Sequence, residues 1–200
     1  MIMNDKVILV DADGVLLNWE WAFGIWMEQH GHTAIENGNL LYDIGKRYGI
    51  TKDQGKQLIK IFNESAAIGF LPALRDAMFY VKRLHEEHGY VFHCITSLSL
   101  DENAGKLREM NLQKLFGKTA FEQVVCLDTG ADKDEILATY SGTNYYWVED
   151  KLENAVVGKE FGLQSILMEH GHNMHEEVPE GIRKVVNWKE IYEIVTGENV

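Results

Sequence analysis

Short apolar runs alternate with helical stretches along most of this chain, and that alternation leaves few folds open. The runs lie at Lys6–Val10, Tyr90–Ile95, Gln123–Leu127, Asn144–Val148, Gln164–Met168 and Lys184–Val186. They are continuous rather than alternating, as strands buried on both faces are. Between them, Leu74, Ala77, Met78, Val81 and Leu84 line one helix face that stops at Gly89. Ser99 with Glu102, Asp132 with Glu135, and Asp150 with Glu153 predict capping boxes at three more helices, and Trp188–Val195 a closing helix. Strands alternating with helices at this length predict an α/β fold, a doubly wound parallel sheet.

One segment breaks the alternation. From the first run to Leu71-Pro72 there are helical patterns and no convincing strand. Trp19, Ala22, Phe23 and Trp26 mark one helix, Leu40–Tyr48 a second, and Thr51 with Gln54 caps a third running to about Ala66. The expected organisation is a Rossmann-like core from residues 1–14 and 72–200, with a helical cap at 15–71. Trp19, Trp21 and Trp26 all fall in the first cap helix. A small helical unit needs large side chains for a core, which is the simpler reading than substrate contact.

Charge narrows the partners. Lys and Arg number 19 against 31 Asp and Glu, a net charge of −12. Such a chain has no basic surplus with which to displace phosphate counterions, which speaks against nucleic-acid polymers and anionic membranes. An anionic substrate would need local positive charge from a metal ion, a lysine or a helix N-terminus. Cys94 and Cys126 lie in apolar runs and read as small buried hydrophobes rather than a disulfide or metal pair. The apolar stretch after the amino terminus stops at Asp11, too early for a signal peptide, and no window approaches a membrane span. A cytoplasmic, reduced setting is expected, and the Asn63-Glu64-Ser65 sequon reads as chance. Nothing in the sequence speaks to oligomeric state.

In an open parallel sheet, ligands bind beyond the carboxyl ends of the strands, near the topological switch point. Just after the expected strands stand Asp11-Ala12-Asp13-Gly14, Thr96-Ser97, Asp132-Lys133 and Glu149-Asp150. Asp11, Asp13, Glu149 and Asp150 would repel one another without a divalent cation, and an all-oxygen set of this kind suits Mg²⁺. A carboxylate can also act as a nucleophile, with a second acid two residues later placed to exchange a proton with the leaving oxygen. Thr96 supplies a hydroxyl, and Lys133 can balance a transferring phosphoryl group. Taken singly, each has a plainer reading: an Asx turn for Asp11 and Asp13, loop residues for Thr96 and Ser97, an N-cap for Asp150. Lys133 is less easily dismissed, because a cation in a first helical turn opposes the macrodipole. The four positions together, in order, carry the weight.

These four elements, DADGV at Asp11–Val15, Thr96 after an apolar strand, Lys133, and WVEDKLENA at Trp147–Ala155, resemble the ordered motifs of the haloacid dehalogenase (HAD) superfamily across nearly the whole chain. The resemblance implies Asp11 as nucleophile and Asp13 as general acid/base, also giving Mg²⁺ a backbone carbonyl. It implies Thr96, Ser97 and Lys133 at the phosphoryl group, and Asp150 with Glu149 as further metal ligands. Asp13 favours phosphoryl transfer over carbon–halogen cleavage, and the helical insertion stands where capped members carry theirs. The expected activity is a Mg²⁺-dependent phosphatase acting on a small phosphorylated metabolite.

A narrower likeness points to nucleotides. The 5′(3′)-deoxyribonucleotidases have a DxDGV element with an aromatic-rich cap, and a second motif similar to His93-Cys94-Ile95-Thr96-Ser97. Near their end a His-Asn stretch precedes a Trp-led helix, as His172-Asn173-Met174-His175 precedes Trp188–Val195. The fourth pair is Glu149-Asp150 here, where those enzymes usually carry Asp-Asp. A sugar phosphomutase with the same site, and a catalytically silent binding protein on the same fold, remain as alternatives. The clusters His30-Gly31-His32 and His170-Gly171-His172 with His175 match no closed tetrahedral metal spacing and read as structural or solvated. No GxGxxG or GxxxxGK[ST] occurs, which argues against nicotinamide or ATP as cofactor.

Overall fold

Each continuous apolar run in the chain becomes a strand, buried throughout in the central Val7–Val10 strand and partly exposed in the edge strands. A computed structural model describes residues 6–199; residues 1–5, the beginning of the expected core segment, and Val200 lie outside the described residues. The strands are β1 (Val7–Val10), β2 (Val91–Thr96), β3 (Phe121–Cys126), β4 (Tyr146–Glu149), β5 (Gln164–Met168) and β6 (Arg183–Val185). All pair in parallel, in the order β3-β2-β1-β4-β5-β6. Among the described residues this is the sheet that the six apolar runs predict.

β1 sits between β2 and β4, and every residue in it is buried. Successive side chains leave a strand on opposite faces. Ile8 and Val10 accordingly join Phe92, Cys94, Val148 and Ile166 in one core, with Val81 and Leu84 of helix α4 (Ala77–Glu86), Leu112 of α5 (Glu102–Phe116) and Trp188 of α8 (Trp188–Thr196). Val7 and Leu9 face the other way, onto Trp147, Leu163 and Leu137 of α6 (Asp134–Ala138), while α7 (Leu152–Glu160) packs on β4 and β5. The chain leaves β1 toward β2 on one side and returns to β4 on the other, so the crevice of this sheet opens beyond the carboxyl ends of β1, β2 and β4.

Between β1 and β2 come α1 (Trp19–Gln29), a 3-10 turn at Gly38–Leu40, α2 (Ile44–Tyr48), α3 (Lys52–Asn63) and a second 3-10 turn at Ala66–Phe70. The Thr51–Gln54 capping box is present as predicted. Trp19 stacks on Phe23 at 4.5 Å between ring centroids, and Trp19, Phe23 and Trp26 all pack on Phe62, making an aromatic core. Trp21 is left outside it, 58% exposed. The two crossings between insertion and core lie side by side: Asn18 N–H donates to the Pro72 carbonyl and Leu74 N–H to the Leu16 carbonyl. Asn63 is buried and bonded to Trp19 and Leu98, so the sequon asparagine has its amide engaged.

Several helix boundaries differ from the sequence expectation. Leu74 precedes α4 because Arg75 takes a positive φ of 41°, which no helix accommodates. The predicted second insertion helix splits into a 3-10 turn and α2, and the third ends at Asn63 rather than Ala66. None of the three core capping boxes forms as predicted. Asp101 caps α5 through the Ala104 N–H, while Ser99 donates to Glu64. Lys133 and Lys151 occupy the cap positions of α6 and α7 without side-chain cap bonds, since an ammonium has no acceptor to offer the free N–H groups. Cys94 is buried and Cys126 half-buried, both free thiols. No described helix is long and apolar enough to cross a membrane.

Candidate active site

The strand register brings the acids together. Val10 lies opposite Cys94 of β2 and Val148 of β4, so the next residue of β1, Asp11, stands between the ends of both neighbours. Its backbone N–H donates to the Val148 carbonyl, and Glu149 and Asp150 follow directly. Asp11, Glu149 and Asp150 each present an oxygen within 4.8 Å of the other two. Gly14 closes the turn at φ +76°, and a Cβ there would run into the Asp150 carboxylate. Glycine is required at this position both by conformation and by space.

Lys133 reaches into this cluster from the start of α6. Its Nζ stands 3.0 Å from Asp11 Oδ1 and 2.9 Å from Glu149 Oε2, with 2% of the residue exposed. Burial alone would pull the ammonium down, but Asp11 and Glu149 outweigh it and hold Lys133 above its ordinary pKa. Glu149 is pushed up to about 7, by burial first, with Lys133 opposing and Asp11 adding. Burial, then Glu149 and Asp11, push Asp150 well above the usual carboxylate range. One cation does not balance three converging acids, two of them buried and one half-buried.

The excess negative charge and the all-oxygen donor set fit a hard divalent cation such as Mg²⁺. Glu149 has both oxygens engaged, Oε1 by Asn154 and Oε2 by Lys133. Within this cluster Asp11 and Asp150 are therefore the carboxylates with uncommitted oxygens. Asp13, expected from the sequence in the same set, is not one of the converging carboxylates. Arg108 of α5 grips both of its oxygens, at 2.5 and 2.9 Å. Burial raises the Asp13 pKa, and Arg108 opposes the shift.

Thr96 ends β2 and Ser97 follows it, but the two side chains diverge. The Thr96 hydroxyl is buried at the end of the strand with no hydrogen-bond partner among the described residues. An unpaired buried hydroxyl is costly, and an incoming acceptor would satisfy it. The Ser97 hydroxyl already donates to the Ala131 carbonyl, 2.8 Å away, tying β2 to the loop that carries Lys133.

The loop after β5 supplies contacts that sequence reasoning passed over. His170 Nε2 lies 2.6 Å from the Gly14 carbonyl, and His172 Nε2 lies 3.2 Å from the Asp150 carbonyl. Burial lowers the pKa of both imidazoles, and each Nε2 donates to the carbonyl it faces. Asn173 is fully buried; its amide donates to the Asp150 and Met168 carbonyls and its oxygen accepts from the His170 N–H. From the insertion, Tyr42 sets its ring edge-on to His172 at 5.2 Å between centroids. The His-Asn stretch was visible as a likeness; its hold on Asp150 was not. Arg108 carried no sequence signal at all.

No family model matches the chain. It is 27% identical over 134 residues to an uncharacterized 32.4 kDa protein of Enterobacteria phage T4, covering 64% of this chain and 47% of that one. The chain thus spans about half the length of the curated relative it matches. A haloacid dehalogenase-like hydrolase from Streptococcus pneumoniae superposes with a TM-score of 0.63 at 13% identity, over 96% of this chain and 98% of the other. A D,D-heptose 1,7-bisphosphate phosphatase from B. bronchiseptica, complexed with magnesium and phosphate, gives 0.58 at 12% identity, over 96% and 98%. At such identities the likeness is one of fold. Both superpositions, over nearly the whole of each chain, place this chain in the haloacid dehalogenase-like fold.

Proposed function

We propose that the protein is a Mg²⁺-dependent phosphatase of small phosphate monoesters. The observation that carries this reading is the Asp11 carboxylate, paired with a buried Lys133 and adjoining Glu149 and Asp150 at the switch point of the sheet. A nucleophilic carboxylate, a fixed ammonium and a cation-demanding acid pair are what phosphoryl transfer needs in one place. The magnesium and phosphate complexed with the heptose bisphosphate phosphatase of like fold support the same chemistry.

In this reading an Asp11 oxygen attacks phosphorus, and the bond from phosphorus to the ester oxygen breaks. Asp13 gives its proton to that oxygen, releasing the alcohol and leaving an aspartyl-phosphate. Water then attacks phosphorus and passes a proton to Asp13, and the bond to Asp11 breaks to free inorganic phosphate. Lys133 balances the charge on the transferring group, and the unpartnered Thr96 hydroxyl donates to one of its oxygens. Asp11 and Asp150 would hold Mg²⁺, with Glu149 orienting Lys133. Bound there, the cation would neutralise phosphoryl charge. Residues 15–71 act as a cap that excludes water from the crevice, and Tyr42 lies on its site-facing side.

Phosphate release from deoxynucleoside and ribonucleoside monophosphates and from small sugar phosphates, with Mg²⁺ and with EDTA, tests the proposal. Mg²⁺-dependent release is expected. Release centred on nucleotides would assign the substrate class suggested by the narrower likeness, and release centred on sugar phosphates would exclude it. No release from any of them would overturn the phosphatase reading.

A further inference from the structure

Core packing does not ask for an arginine at position 108. The site lies midway along α5, on the helix face that also buries Ala104, Asn111 and Leu112, and Arg108 has no exposed surface. An aliphatic residue there would fill the volume without taking a charge out of water, and buried ion pairs rarely beat such a replacement in stability. The guanidinium is used in one direction. Its two terminal nitrogens meet the two Asp13 oxygens at 2.5 and 2.9 Å, while Nε is buried without a partner. A planar fork meeting a planar carboxylate fixes both its direction and its plane.

Asp13 needs such a hold. It lies on the turn between Ala12 and Gly14, whose backbone bonds set the main chain but leave the side-chain torsions open. α5 is itself anchored, by the Asp101 cap and by Asn111 donating to the Leu71 carbonyl where the insertion returns to the core. The fork takes one lone pair of each Asp13 oxygen and leaves the others directed away from the arginine, where a proton can be exchanged. We propose that Arg108 is the positioning residue for Asp13, aiming its carboxylate at the ester oxygen and then at the attacking water. The inference rests on the phosphatase reading and adds to it a residue that does not touch substrate.

Its consequence falls on the step that needs Asp13 most. p-Nitrophenolate leaves without protonation, so formation of the aspartyl-phosphate from p-nitrophenyl phosphate should survive a misaimed Asp13. Hydrolysis of that intermediate should not, since water must lose a proton to Asp13. Stopped-flow release of p-nitrophenolate by the full chain with Mg²⁺, with circular dichroism to fix the folded fraction, separates the two. In Arg108→Met the burst should approach one equivalent per folded molecule, with the following steady rate down about 10- to 100-fold. Arg108→Lys, which keeps the charge but loses the fork, should recover part of that rate. A steady rate equal to the unmodified protein's in both variants would overturn the proposal. So would loss of burst and turnover together, in proportion to lost folded protein, because Arg108 would then be scaffold alone. Absence of any Mg²⁺-dependent release by the unmodified protein is a different result, overturning the phosphatase reading and the role of Arg108 with it.

Discussion

The ammonium of Lys133 lies 3.0 Å from the Asp11 carboxylate across 122 positions of sequence and bridges it to Glu149. Removing the ammonium strands two buried carboxylates, a loss of about 3–5 kcal/mol for a buried pair broken on one side. Lys133→Met should therefore lower the thermal midpoint in EDTA, and added Mg²⁺ should restore part of it. Phosphate release should fall as well. A midpoint unchanged in EDTA would show that the bridge contributes nothing to the metal-free fold.

Asp11→Asn keeps the shape of the side chain and the bond that its Oδ1 accepts from the Ala12 N–H while removing the proposed nucleophile. Turnover should drop by a factor on the order of 10³ or more, with an unaltered circular dichroism spectrum. Appreciable residual activity would place the nucleophile elsewhere.

Mg²⁺ binding should weaken as pH falls. Glu149 is held up to about 7 and Asp150 well above the usual carboxylate range, so in the metal-free protein both bind protons more readily than ordinary acids. A cation must displace those protons, and its affinity is lost as pH drops through the raised values. Isothermal titration at pH 8 and pH 6, in buffers of different ionisation enthalpy, should show proton release and lower affinity at pH 6. Equal affinity at both would mean that cation binding is not linked to proton release from either carboxyl.

Asn173→Ala leaves the Asp150 and Met168 carbonyls without their amide donor. The expected destabilisation is about 1–3 kcal/mol, read by urea unfolding. Because the amide orients Asp150, a proposed metal ligand, Mg²⁺ affinity should also fall by about 10- to 100-fold. Reduced stability with unchanged Mg²⁺ affinity would confine Asn173 to a loop-holding role.

Gly14→Ala should disturb the site more than its size suggests. The left-handed φ costs an alanine about 1–2 kcal/mol, and the added Cβ collides with the Asp150 carboxylate. Both stability and Mg²⁺ affinity should decline, measured by thermal unfolding and titration. Wild-type Mg²⁺ affinity in this variant would show that Asp150 can move without loss.

The parts of this molecule that were readable in its sequence are those written in a local pattern. The six continuous apolar runs become the six strands, most plainly at the centre of the sheet, where burial on both faces demands continuity of apolar residues and nothing distant. Asp11, Thr96, Lys133, Glu149 and Asp150 were legible because each follows a strand, or opens the helix after one, and parallel strands put such positions on one edge. Helix starts were less so: Ser99, Asp132 and Asp150 have the chemistry of caps, yet each could be diverted by a neighbour that only the fold supplies.

Sequence alone therefore determined the layer architecture and the placing of Asp11, Lys133, Glu149 and Asp150 at the sheet's carboxyl edge, whereas Asp13 and Ser97, expected with them, are held by Arg108 and the Ala131 carbonyl. Tertiary structure alone decided how those groups are partnered. Arg108 sits in the charged stretch Lys106–Glu109 and looks like any solvated helix residue, until α5 turns it inward onto Asp13, 95 positions away. Asn173 and His170 reach Asp150 and Gly14 because β5 lies beside β4, a fact of strand order. Hydrophobic periodicity is a property of neighbours in the chain. The partner of a buried charge is set by neighbours in space, since the low dielectric of the interior makes pairing obligatory but leaves sheet order to choose the partner.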